Sequence, residues 1–353
     1  MKECFAGKSA QEIALILSEI GQPSFRTKQI VNGIAQGKPF SEMTDLPKSL
    51  REKLQENYLA LGAEIFEVRT SKDGTEKYLF RLADGNIVEG VLMKYKYGNT
   101  LCVSTQVGCR MNCAFCASGI GGLVRNLTAG EMLSFVLVAN RRAGGTPEKR
   151  AITNLVLMGS GEPLDNYEEV VRFLRLAASP DMLGISPRNV SLSTCGLVPN
   201  MRRLAEEGLP VNLTVSLHEP FDEERKQIMP IANAYSIAEI LDACHYYFQK
   251  TGRRYIFEYS LIRGKNDTPR HAEELIRLLK GKPCHVNLIR LNPVEEKKLL
   301  SPTEKEAYRF MGLLEKGGLS ATLRRQIGVD IDGACGQLRR KFIGEDGGLS
   351  KVK

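Results

Sequence analysis

Three cysteines within eight residues, Cys109, Cys113 and Cys116, carry the strongest chemical signal in this 353-residue sequence. Their spacing is Cys-x3-Cys-x2-Cys, inside Gly108-Cys109-Arg110-Met111-Asn112-Cys113-Ala114-Phe115-Cys116. Structural zinc takes four ligands, usually as paired Cys-x2-Cys or Cys/His sets, and no matching second pair stands among the remaining cysteines and the four histidines. Three thiolates suit a [4Fe–4S] cluster, because they hold three irons and leave the fourth open. An open iron can chelate the amino and carboxylate groups of S-adenosylmethionine (SAM) and set its sulfonium beside a source of electrons. Zinc binding and simple electron transfer are the competing readings.

Other residues are more ambiguous alone. Gly159-Ser160-Gly161-Glu162 follows an apolar run and reads as a tight strand-to-helix turn or as a ligand contact. Cys335, flanked by glycines in Asp332-Gly333-Ala334-Cys335-Gly336, is a reactive thiol on an accessible loop or a small buried hydrophobe. Cys102 lies in Leu101-Cys102-Val103 and reads as core packing. Glu89 is the only charge between Ile87 and Met93. Strand alternation puts it on a face with Ile87, Val91 and Met93, surroundings that favour a raised carboxyl pKa and general acid/base work, although a solvated edge fits equally.

The elements that must position these residues alternate. Apolar runs near 101–107, 153–159, 188–194, 211–217, 255–262, 284–291 and 320–325 predict strands, with helical patterns between them. Thr128 with Glu131 forms one capping-box pattern, and Asp165-Asn166 with Glu169 predicts another helix start. Repeated strand-helix units predict an α/β fold with parallel strands, a partial (β/α)6-type barrel, with a doubly wound sheet as the alternative. The cysteine cluster, Gly161-Glu162, Ser193-Thr194-Cys195, Ser216-Leu217-His218 and Asn292 all follow or end strands, which places them on one rim, where barrel active sites are built. The domain boundaries expected are a helical N-terminal accessory unit at 1–62, a β-meander at 63–100, the barrel at 101–345 and a flexible tail at 346–353. Asp73-Gly74 and Asp84-Gly85 predict the hairpin turns of the meander.

Composition agrees with a folded, metal-using protein. Hydrophobic residues are 42% and charged residues 25%, enough for a real core. The start Met1-Lys2-Glu3-Cys4 leads into no signal-like apolar stretch, and no run reaches about 18 apolar residues, so a cytoplasmic location without a membrane span is expected. Nine cysteines in such a compartment point to metal binding or catalysis rather than to a disulfide framework. A formal charge of +8 favours a polyanionic partner. The basic doublets Arg141-Arg142, Arg202-Arg203, Arg253-Arg254, Lys297-Lys298 and Arg324-Arg325, and Arg339-Arg340-Lys341, contribute to that argument only as a sum.

Six motifs in order, "LCVSTQVGCRMNCAFCASG", "LMGSGEPLDN", "LSTCG", "VSLHEP", "HVNLIRLNP" and "DIDGACGQLRR", resemble the RlmN/Cfr family of radical SAM RNA methyltransferases from about residue 25 to 341. The resemblance implies a [4Fe–4S] cluster on Cys109, Cys113 and Cys116, and SAM contacts from Gly161, Glu162, Ser193, Ser216, Leu217, His218 and Asn292. It implies that Cys335 first accepts a methyl group from SAM, that Glu89 accepts a proton, and that Cys102 resolves the RNA–enzyme adduct by forming a disulfide with Cys335. The substrate explains the radical: an adenine ring carbon between two nitrogens is electron-poor and has no polar route to the SAM methyl. A second SAM, cleaved reductively, activates the methyl on Cys335 for addition to carbon-2. The implied partners are 23S rRNA in its peptidyl-transferase region, tRNA at the adenosine beside the anticodon, and a flavodoxin-type or other low-potential electron donor. A monomer is expected, and no membrane contact. Pro163 resembles the RlmN branch, whereas Arg290 resembles the Cfr branch, whose carbon-8 methylation of 23S rRNA confers antibiotic resistance. A radical SAM enzyme activating a protein, and a non-catalytic metal-bearing RNA-binding protein, are the more distant alternatives.

Overall fold

A computed structural model describes residues 2–292 and 294–331. The chain forms two compact units. The first comprises residues 1–107, 125–160 and 166–190, and the second residues 108–124, 161–165 and 191 onward. Cys335, the "DIDGACGQLRR" motif from Asp332 onward, the basic run 339–341 and the expected tail lie outside the described residues.

In the first unit, β1 (Glu3–Cys4) pairs in parallel with β2 (Tyr58–Leu59) around three helices, α1 (Ala10–Glu19), α2 (Phe25–Ala35) and α3 (Lys48–Asn57). The run Ser9-Ala10-Gln11-Glu12 has the Ser-x-x-Glu spacing of a capping box ahead of the apolar Ile13, Ile16 and Leu17, and Ser9 and Glu12 close that box on α1. The meander follows as β3 (Ala63–Thr70), β4 (Glu76–Leu82), β5 (Ile87–Tyr95) and β6 (Gly98–Cys102), antiparallel throughout. Its first two turns fall at Asp73-Gly74 and Asp84-Gly85, where Gly74 (φ 84°) and Gly85 (φ 81°) supply left-handed backbone. After β7 (Gln106–Gly108) and β8 (Leu123–Asn126), a short pair, come α4 (Ala129–Arg142), β9 (Ile152–Leu157) and α5 (Tyr167–Ala178), with β9 parallel to β6. Eleven of the fourteen residues of α4 are buried, so this helix is a core element with protein on all sides rather than an amphipathic cover. Phe135 on α4 stacks on Phe80 of β4 with centroids 4.5 Å apart.

The sequence predicts one strand over 101–107, but the chain breaks between Val103 and Thr105. There Ser104 turns its hydroxyl inward, donating to the Glu89 carbonyl at 2.8 Å and accepting from the Ser160 N–H at 2.9 Å. The helix start expected at Asp165-Asn166 is found, with α5 beginning at Tyr167, but the Asn166 side chain does not cap it. The Asn166 amide donates instead to the carbonyls of Thr105 (2.9 Å) and Leu127 (2.7 Å), and Glu169 accepts from the first N–H of α4 at 2.7 Å. These two buried carbonyls, the first of which also accepts from the Leu127 N–H at 3.1 Å, take the amide away from the local cap.

In the second unit, β10 (Val190–Thr194), β11 (Asn212–Ser216), β12 (Tyr255–Leu261), β13 (Cys284–Arg290) and β14 (Ala321–Leu323) pair in sequence order, every neighbour parallel. Helices α6 (Val198–Glu206), α7 (Asp222–Ile228), α8 (Ile237–Thr251), α9 (Pro269–Leu279) and α10 (Glu304–Lys316) alternate with them. The α/β class with parallel strands is therefore observed, and each strand lies within a few residues of its expected place. Among the described residues no helix is long and apolar enough to cross a membrane.

Candidate active site

Within the second unit the cysteine loop is fixed at several points. Gly108 has φ 79°, and a Cβ there would lie 2.1 Å from the Gly122 carbonyl oxygen, so only glycine lets the loop close this tightly. The Cys109 N–H donates to that carbonyl at 3.1 Å, and the Ala114 N–H donates to the Ile228 carbonyl at the end of α7 at 2.8 Å. Arg110 pairs with Asp165 at 2.8 Å. Burial pushes the Cys109 thiol up to about 12 and the Cys113 thiol higher still, and in both cases neighbouring cysteines add to the shift. Among the described residues the only set of three or more His, Cys, Asp or Glu with ligand atoms all within 4.8 Å is Glu219, Glu224 and His271.

The Glu162 carboxylate is buried at the turn after β9. It accepts from the Cys195 N–H at 2.7 Å and the Leu164 N–H at 3.0 Å, while burial pushes its pKa up. Glu162 thus ties its own turn to the end of β10. Ser193 donates to Glu258 at 3.5 Å. Ser216 and Leu217 offer their carbonyls to Arg225 at 3.2 and 3.1 Å. Asn292 is exposed, two residues beyond the end of β13.

His218 has φ 58°, a left-handed conformation that costs a non-glycine residue about 1–3 kcal/mol and persists only when its surroundings hold it. They do. Its Nδ1 accepts from the Ser260 N–H at 2.9 Å, its N–H donates to the Glu258 carbonyl at 3.3 Å, and its carbonyl accepts from Asn266 at 2.7 Å. Burial holds the imidazole pKa down at about 3, so the ring is neutral with its proton on Nε2. Phe115 of the cysteine loop meets this ring edge-on at 4.6 Å.

His218 and Glu219 have opposite effects on stability. With its folded pKa lowered to about 3 from 6.5, His218 contributes stability above 6.5 that is lost as pH falls towards 3. Glu219 is raised from 4.5 to about 8 by burial and by the Glu224 carboxylate, so its contribution is present below 4.5 and is lost as pH rises to 8. The two offset one another between 4.5 and 6.5. Glu219→Gln should therefore gain stability relative to the parent by about 1.4 kcal/mol per pH unit from pH 4.5 to 8. Urea unfolding of both proteins at several pH values tests this; a constant difference would refute a neutral Glu219.

A second group of expected residues sits in the first unit. The β5–β6 register pairs Val91 with Cys102, and the β4–β5 register pairs Lys77 with Val91 and Leu79 with Glu89. Directly opposed residues share a sheet face, so Lys77, Glu89 and Cys102 all lie on one face. Glu89 and Cys102 are each 6% exposed and Lys77 is fully buried. The expected apolar setting of Glu89 is corrected here: the Lys77 ammonium lies 3.7 Å from its carboxylate. Reading one strand alone could not find this partner, which comes from the strand beside it.

Residues 103–279 match the Radical SAM superfamily, and residues 5–59 match the ribosomal RNA large subunit methyltransferase N-terminal domain. The chain is 51% identical over 335 residues to the "Probable dual-specificity RNA methyltransferase RlmN" of Lachnoclostridium phytofermentans, covering 94% of this chain and 93% of that protein. This chain belongs to the RlmN family of radical SAM RNA methyltransferases. An RlmN protein of Clostridium perfringens is likewise 51% identical, over 340 residues and 96% of each chain. A solved radical SAM methyltransferase from Sphaerobacter thermophilus superposes with a TM-score of 0.91 at 42% identity, covering 95% of this chain and 98% of that one. The expected radical SAM barrel class is thus borne out.

Radical SAM membership implies a [4Fe–4S] cluster and SAM, and the donor set fits. Three buried or half-buried thiols, two of them with strongly raised pKa values, need a metal to become thiolates, and a buried cation, Arg225, lies near enough for its charge to favour the Cys113 and Cys195 thiolates. Sequence reasoning missed Arg225, Lys77, Ser104 and Glu258. Each lacked a motif, and each is identified only by burial with a polar partner. The basic doublets are weakened as a docking argument. Arg141 pairs with Glu42, Arg142 with Glu76, Arg202 with Asp242, and Arg324 lies 3.8 Å from Glu258.

Proposed function

We propose that this RlmN-family chain methylates carbon-2 of an adenosine in the peptidyl-transferase region of 23S rRNA and of the adenosine beside the tRNA anticodon. The observation that carries the reading is the shared face of Glu89 and Cys102 on β5 and β6, an acid/base group and a thiol placed together in the chain of an RNA methyltransferase. "Dual-specificity" in the names of the relatives supports two RNA substrates. The N-terminal helical segment 1–62 serves as the RNA-docking domain, a target adenosine must be splayed from its stack, and a flavodoxin-type or similar low-potential protein supplies electrons.

Cys109, Cys113 and Cys116 would hold the cluster, which with SAM supplies a methyl group and radical chemistry. Gly161, Glu162, Ser193, Ser216, Leu217, His218 and Asn292 would bind SAM. In this role Glu162 keeps its turn fixed, and His218 presents a permanent Nε2–H donor. The Cys335 thiol accepts the methyl group in place of its proton; after losing one hydrogen atom to the radical, the methyl carbon bonds carbon-2 as a methylene bridge, and the surplus electron of this adduct would return to the cluster. Glu89 then takes the proton from carbon-2, with the Lys77 ammonium 3.7 Å from its carboxylate. The Cys102 thiol attacks the Cys335 sulfur, forming a disulfide as the bond from that sulfur to the methylene carbon breaks, and the proton released completes the methyl group of the freed RNA.

Mass analysis of adenosines after reaction with isotopically labelled SAM and each RNA tests this. 2-Methyladenosine is expected from both substrates. 8-Methyladenosine would move the chain to the Cfr branch that Arg290 resembles, and unmodified RNA with intact SAM would overturn the enzymatic reading.

A further inference from the structure

Arg225 is the largest fully buried side chain among the described residues, with no exposed surface. A guanidinium in that position normally has a carboxylate to balance it, since an isolated buried charge is costly. Here its hydrogen-bond partners among the described residues are three backbone carbonyls: Nη2 donates to Cys195 at 2.8 Å and to Ser216 at 3.2 Å, and Nε donates to Leu217 at 3.1 Å. Nη1 is buried without a hydrogen-bond partner. The Asp222 carboxylate at the start of the same helix attracts the guanidinium but is not among these hydrogen-bond partners, so the charge is incompletely compensated.

Its location indicates what could balance it. Arg225 lies on α7, and the last residue of that helix, Ile228, accepts from Ala114 inside the cysteine loop at 2.8 Å. Cys113, Ala114 and Phe115 pack on the small apolar cluster built by Cys195, Ile228 and Met229. A [4Fe–4S] cluster with three thiolates carries a net negative charge, and the charge and hydrogen bonding around such a cluster set its reduction potential.

We propose that Arg225 is a positioning residue with a second, electrostatic role. It fastens α7, and through it the cysteine loop, to the ends of β10 and β11, and it balances the anionic cluster with a fixed buried cation. This rests on the reading that Cys109, Cys113 and Cys116 hold that cluster. The guanidinium favours the reduced, more negative state, so its charge eases electron entry.

Reconstituted holoenzyme of the parent, Arg225→Lys and Arg225→Met, with iron and sulfide analysis and an EPR-monitored redox titration, tests the proposal. Arg225→Met should keep iron yet need stronger reduction, its reduced fraction at a fixed potential falling about tenfold, equivalent to a midpoint about 59 mV lower. Arg225→Lys, which keeps the charge, should stay within about threefold of the parent, or roughly 30 mV for one electron. Equal midpoints in parent and Met variant, or equal losses in Met and Lys variants, would overturn the electrostatic role. Should the variants fail to fold, the parent protein still decides it: the Arg225 side-chain 15N–H signals must broaden on cluster assembly, and unperturbed signals would refute proximity. A parent that binds no iron and sulfide would instead overturn the underlying cluster assignment.

Discussion

Cys102→Ala is expected to trap RNA on the protein. If Cys335 carries the methyl group and Cys102 only resolves the adduct, the variant completes the addition to adenine and stops there. Ribonuclease digestion should then leave a nucleotide attached through a methylene bridge to Cys335, with methylated product reduced by at least about 100-fold, the scale set by loss of an essential nucleophile. Cys335→Ala should bind the cluster and give neither adduct nor product. The placement of Cys102 keeps this interpretation clean, because the residue is small and on a strand paired on both sides. Removing its sulfur should cost only about 1 kcal/mol of packing. Normal turnover by Cys102→Ala without an adduct would return Cys102 to the role of a core strand residue.

Replacing any one of Cys109, Cys113 or Cys116 with alanine should abolish SAM cleavage and remove most of the iron. Each supplies one of only three protein ligands, and no redundancy is built into the loop. The loop's shape does not depend on the sulfurs: the Cys109 N–H and Gly122 carbonyl bond, the Ala114 N–H and Ile228 carbonyl bond, and the Arg110–Asp165 pair are all independent of them. Loss of iron with an unchanged far-UV circular dichroism spectrum is therefore the expected signature. A variant that keeps four irons per chain and still produces 5′-deoxyadenosine would sink the assignment.

The parallel α/β architecture was legible because it is written in period and punctuation: apolar runs at strand length, capping boxes at Ser9 and Thr128, Asp-Gly at two turns. The cysteine loop was legible because ligand spacing is local. What escaped reading depends on contacts between distant segments. Asn166 carries a local cap signal but spends its amide on Thr105 and Leu127. Lys77 looks like one more strand lysine until the neighbouring strand brings Glu89 to 3.7 Å. Arg225 stands in the charged helix Asp222-Glu223-Glu224-Arg225-Lys226, where nothing in the pattern marks it as the member that turns inward. The basic doublets erred in the other direction, since several of their charges are already paired with acids in the fold.

Gly7, the last residue of the 3-10 turn Phe5–Gly7, and Gly130 bring that turn backbone-to-backbone against helix α4. A Cβ on Gly130 would lie 2.9 Å from the Gly7 nitrogen, and a Cβ on Gly7 would lie 3.1 Å from the Gly130 backbone. Neither position can accept even a methyl group without displacing the other's main chain. A side chain added at either is therefore felt at the other's main chain, although more than a hundred residues separate them, so Gly130→Ala on α4 should loosen the first turn of the chain as well as the helix.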